Sequence, residues 1–151
     1  MSVSFTGSDH TTLEVTSYGS FPRRVYLHSG PDDDFSDPRS MNLSSVNART
    51  FLAFLGIDSG EDLYGELTIP DARRAIIRAR ATFDHRAHNF MRDQEVTHGA
   101  PRINDDGTVT LRPVRLWVGG IDEEYLARQL GRLEVLLEAL AEKGATHLGW
   151  G

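Results

Sequence analysis

Leucine recurs at positions 126, 130, 133, 137 and 140, in steps of four, three, four and three that align along one face of an α-helix. This predicts a helix between Gly120 and Gly144, with Asp122 as its cap, Glu123 and Glu124 at the positive end of its dipole and Gly144 as its stop. Alternating apolar and polar side chains predict two half-buried strands, TTLEVT at residues 11 to 16 and RVYLH at 24 to 28, with SYGSFP as their turn. Residues 41 to 57 read as a short strand running into a helix. Ser44 or Ser45 caps it, Val46, Leu52 and Leu55 face inward with Phe51 at their flank, and Gly56 ends it. EDLYGELTIP is a loop or short strand, and a second helix starts at Pro70, with Ile69, Ala72, Ile76 and either Ala79 or Ile77 inward. Residues 100 to 120 predict a hairpin around Asp105-Asp106-Gly107, its second arm broken or placed at an edge by Pro113. In the closing ATHLGWG, Trp150 packs back on the core or forms a last edge strand. The pattern as a whole predicts one α+β domain over residues 1–151: a small, mainly antiparallel sheet with about three helices, the long C-terminal one packed across it.

Composition narrows the class. A chain of 151 residues with 39% hydrophobic content builds one core. Without cysteine, neither a disulfide framework nor a zinc-thiolate site is available. The first twenty residues lack a basic start and an apolar run, and no stretch approaches the roughly 20 apolar residues of a membrane span, so a cytoplasmic protein with no membrane contact is expected. The net charge of -6 excludes extended nucleic-acid binding over the whole surface and leaves room for a local basic patch. SGPDDDFSDPRS, residues 29–40, reads as a surface loop. Its aspartates, Asp32, Asp33, Asp34 and Asp37, lack the glycine and closing glutamate of a calcium-binding EF-hand loop.

The candidate chemistry lies in three places. Arg74 and Arg78, one turn apart, and Arg73 and Arg80, two turns apart, lay two arginine rows on the exposed face of the second helix. Six arginines against Asp71 and Asp84 between residues 70 and 92 leave an excess of four positive charges, either a solvated face or an anion site. Asn42, Asn47 and Arg49 cluster at the start of the first helix, whose unpaired N–H groups favour anions; the plainer reading has the asparagines serving the local backbone. Trp117 alternates with Leu116 and Val118 and so points away from the core, towards a ligand or simply at a domain edge. Asp84, His85, His88 and His98 can in principle hold a metal or serve acid–base chemistry, but their spacing is not HExxH and no GxSxG elbow is present. No metal and no cofactor is therefore expected.

At NLSSVNARTFLAFLG and DEEYLARQLGRLEVLLEALAEKGATHLGWG, about a third of the chain, the sequence resembles a family of small uncharacterised proteins from actinobacteria and their phages. That family's pattern is asparagine-serine-x-asparagine-alanine, a leucine-rich turn and glycine, then a tyrosine-led leucine helix and a closing tryptophan-glycine. The present chain departs from it in having Ser45 and Val46 before Asn47. The resemblance implies a prokaryotic or phage origin and a shared fold.

The function expected is a non-catalytic binding protein for a phosphate-bearing small molecule of nucleotide type, held by Asn42, Asn47, Arg49, Arg73, Arg74, Arg78 and Trp117. A phage origin would make it a sponge that sequesters a host immune signal. One alternative is an interaction module or inhibitor acting through the acidic loop or the C-terminal helix, whose leucine row offers a homodimer seam. A small metal-dependent hydrolase using Asp84, His85, His88 and His98 is another.

Overall fold

The computed structural model describes residues 1–27, 37–81, 83, 96–98, 102–110, 113–115 and 123–151. Val3, Phe5, Gly7 and Asp9 alternate with Ser2, Ser4, Thr6 and Ser8, and this period of two makes the first strand, β1 (Ser2–Thr16), with the odd positions buried. The strand expected at residues 11 to 16 is only the exposed outer end of β1. Its inner half was hidden in the sequence because Ser2, Ser4, Gly7, Ser8 and Asp9, weak strand formers, make up most of it. The chain turns at Ser17 and Tyr18 into β2 (Gly19–Val25), and the register slips between Asp9 and Leu13.

β3 (Met41–Ser44) runs into α1 (Ser45–Phe54), as the pattern predicts, and the Asn47 amide donates to Ser44 Oγ at 3.3 Å. Gly56, at φ 76°, stops the helix, with its amide donating to the Ala53 carbonyl and the Ile57 amide to that of Leu52. Ala48, Phe51, Leu52 and Leu55 form the inner stripe of the helix. Phe51 is therefore central rather than flanking, and meets Phe5 edge-on at 6.4 Å. Val46, expected inward, is off that stripe and 51% exposed.

β4 (Gly65–Thr68) leads into α2 (Ile69–Ala81), which begins one residue before Pro70. Thr68 and Asp71 cap each other: the Asp71 amide donates to Thr68 Oγ1 at 3.2 Å and Oγ1 donates to Asp71 Oδ2 at 2.7 Å. Ile69, Ala72, Ile76 and Ala79 are buried, whereas Ile77 faces out. β5 (Val96–His98), a strand outside the predicted range, pairs with β8 (Pro113–Arg115), and β6 (Arg102–Ile103) and β7 (Val109–Thr110) pair around Gly107 as the expected hairpin.

α3 (Glu123–Glu142) buries Leu126, Leu130, Leu133, Leu137 and Leu140 in the core, so the leucine row lies inside the molecule. The amide of Gly144, at φ 88°, donates to the Ala141 carbonyl, and that of Ala145 to Leu140, the bonding of a glycine-terminated helix. Asp122, the expected cap, lies outside the described residues. β9 (His147–Trp150) is an interior strand rather than an edge: it pairs antiparallel with β1 on one side and β4 on the other. β2 and β3 share the opposite side of β1, along its outer and inner parts respectively. The result is an α+β fold, a mainly antiparallel sheet with three helices among the described residues. No described helix is long and apolar enough to cross a membrane.

Candidate anion-binding site

Burial of the leucine face fixes the rotation of α3, and Arg128, Gly131, Arg132 and Val135, spaced three, four and seven apart, form the stripe beside it. That stripe faces the turn at residues 37 to 40. Asp37, 3% exposed, closes the turn by accepting from the Arg39 backbone amide at 2.7 Å and from Arg39 Nε at 3.0 Å and Nη2 at 2.6 Å. These bonds raise the Arg39 pKa further and aim its side chain. Arg132 is anchored in the same way: Nη2 donates to the Ser40 carbonyl at 2.9 Å and Nη1 to Gln129 Oε1 at 3.2 Å. Arg128 lies over the Tyr125 ring at 5.5 Å, and Tyr125 Oη is held by Asn47 Nδ2 at 3.3 Å.

Arg39, Arg128 and Arg132, together with Pro38, Gly131 and Val135, line an open hollow of about 310 Å³. A Cβ built on Gly131 would meet nothing within 4 Å, so its floor has room to spare. Arg39 is ion-paired with the buried Asp37 and also feels the charge of Glu142, whereas the bonds named for Arg132 and the ring contact of Arg128 are to neutral groups. Each guanidinium carries five N–H donors, and the bonds named use only part of that capacity. Side chains held in place by carbonyls and a ring lose little freedom on meeting an oxyanion, which is the arrangement that favours tight phosphate binding.

The outer face of the sheet carries a second, larger groove of about 440 Å³ with Ser4, Thr6, Ser8, Arg24 and Glu66 along it and Phe21 and Tyr64 at its sides. At its end His10 Nε2 lies 3.0 Å from Glu66 Oε2, and the His10 and His147 rings stack at 3.7 Å. No group of three metal-ligating side chains occurs among the described residues.

The residues singled out in the sequence are dispersed. Asn42 lies on the outer sheet face, with Nδ2 donating to Ser4 Oγ at 3.1 Å. Arg49 ties down the following turn through the Gly60 and Glu61 carbonyls, each at 3.2 Å. On α2 the positive rows meet carboxylates: Arg74 bonds Asp71, Arg80 Nε reaches Glu134 at 3.0 Å, and Arg73 borders a shallow hollow with Glu134 and Glu138. The Arg74 bond, then that of Thr68, holds the Asp71 carboxyl below its ordinary range, with the Arg78 charge adding to the effect. Of the seven residues, among those described, Asn47 is linked to the arginine hollow through Tyr125. Trp117, Asp84, His85, His88 and Asp32 to Asp34 lie outside the described residues, as does the His98 side chain.

Arg39, Arg128 and Arg132 were missed. The spacing of four between the last two was legible on the predicted helix, but nothing local brings residue 39 to them. No protein-family model matches the chain, nor does any curated protein or solved structure.

Proposed function

We propose that the protein binds a phosphate-bearing small molecule of nucleotide type without turning it over, and that Arg39, Arg128 and Arg132 take its phosphates. The observation that carries this reading is that three anchored arginines, from two segments far apart in sequence, line one hollow. Arginine forks match phosphate oxygens two at a time, and a hollow of about 310 Å³ is at the lower end of the range for small-molecule sites. The phage origin implied by the resemblance would give such a protein the role of a sponge for a host immune signal.

A thermal melt against linear and cyclic nucleotides and ADP-ribose derivatives, with the ligand recovered afterwards, tests this. A ligand at a hundred times its Kd adds about 2.7 kcal/mol, a rise of about 5 to 10 °C at this size. Arg128→Ala and Arg132→Ala should each weaken binding about tenfold or more, while Arg74→Ala leaves it unchanged. No shift with any compound counts against the proposal, and recovery of altered ligand would make the protein an enzyme.

A further inference from the structure

The strand β4 has a partner on one side only: β9 pairs with it through Gly65 to Thr68, and no other described strand does. The Ile69 amide donates to the Thr146 carbonyl at 2.9 Å at the end of this ladder. Antiparallel pairing alternates, so Leu67 and Gly65 also bond towards β9, and the N–H and C=O of Glu66 point the other way, off the sheet. Beyond that edge lies a groove of about 430 Å³ between the Gly56–Asp58 turn and α2.

Trp150 reaches this groove. Its ring crosses the bare Cα of Gly65, where a Cβ would lie 2.5 Å from Cζ2, and it is among the residues that line the space beyond the edge. The side chain is 4% exposed, and its Nε1–H is buried with no hydrogen-bond partner. An orphaned indole donor is costly, and an acceptor entering the groove would satisfy it. Asp58, Glu66 and Asp71 border the groove with Arg78. Arg74 already bonds Asp71 and His10 bonds Glu66, so the acidic character of the rim rests mainly on Asp58 and on Glu61 and Asp62, exposed on the adjoining turn.

From this geometry we infer that the edge of β4 left unpaired by the described strands is a docking site for an extended basic segment of another protein, which adds to the sheet as a further strand. Its backbone pairs with Glu66, one of its carbonyls accepts from Trp150 Nε1, small apolar side chains enter over Ile57 and Ala75, and its lysines or arginines face the acidic rim. A second copy of this chain is a poor occupant, because joining two β4 edges sets Asp58, Glu61, Asp62 and Glu66 of each copy against their counterparts.

The test uses the full chain carrying Trp117→Phe, so that Trp150 is the only indole, titrated with a blocked octapeptide of alternating lysine and valine. A saturable change in Trp150 fluorescence is expected, at least about tenfold tighter than with the glutamate–valine counterpart. Methylating alternate backbone nitrogens of the peptide should weaken binding about tenfold. Glu66→Pro should do the same with the melt preserved, since the lost N–H points off the sheet. Equal binding of the methylated peptide, equal binding of the acidic peptide, or no binding at all would overturn the inference. Concentration-dependent dimerisation abolished by Glu66→Pro would overturn it in favour of a second copy.

Discussion

Gly65 and Gly131 show opposite uses of a missing side chain. Gly65 lies under the buried Trp150 ring, which cannot swing aside, so Gly65→Ala should cost about 1 to 3 kcal/mol in urea unfolding. Gly131 sits mid-helix with open space around it, and Gly131→Ala should stabilise by about 0.5 to 1 kcal/mol. Denaturation midpoints that moved in the same direction for both would contradict this account. Asp9 makes a pH prediction. Its carboxylate accepts from the Thr11 hydroxyl at 2.5 Å, the Thr11 amide at 2.9 Å and Arg23 Nη2 at 3.2 Å, and these bonds, the Thr11 hydroxyl first, hold it well below the ordinary 3.8. The unfolded chain takes up this proton before the folded one does. The stabilisation is therefore present above pH 3.8 and is lost as the pH falls below it. Melting temperatures of Asp9→Asn against pH should show a shallower acid limb than the parent; an identical limb would show that Asp9 carries none of it.

At the scale of elements, the glycine stops were the most legible features, because each depends on one residue type at one backbone position, whereas the cap of α1 was open between Ser44 and Ser45. Gly56 and Gly144 stop their helices at positive φ, and Ser44 starts α1. Ser44→Ala should cost about 1 kcal/mol, and Gly144→Ala about 1 to 2 kcal/mol because its φ of 88° is strained for alanine. Chemical denaturation of the two variants checks both values. Helix rotation was less legible. The pattern put Val46 inward with Phe51 at the flank, whereas in the structure Phe51 is buried against the ring of Phe5 and Val46 is exposed. The arginines of α2 likewise read as an unmatched basic face, because Glu134 and Glu138, which lie beside them, are on a helix more than fifty residues later.

The whole molecule is closed by its last strand. β9 joins β1 and β4, and its Leu148 and Trp150 enter the core. Deleting residues 147 to 151 should therefore leave β4 without its partner, bare one side of β1 and leave two large side-chain voids. The expected outcome is loss of the cooperative thermal transition followed by circular dichroism; a retained sharp transition would mean that the sheet closes without β9.

Elements whose signals are local were determined by the sequence itself: the leucine stripe of α3, the glycine stops, the strand-to-helix passage at Ser44 and the turn at Gly107. These follow from backbone geometry and side-chain period, which act over a few residues. Only the tertiary structure decided that Ser2 to Asp9 form the inner half of a core strand, that β9 is interior, and that Arg39 joins Arg128 and Arg132. Each of these depends on which distant segment covers which face, and the energy that settles it, burial against a partner, has no counterpart in the local pattern.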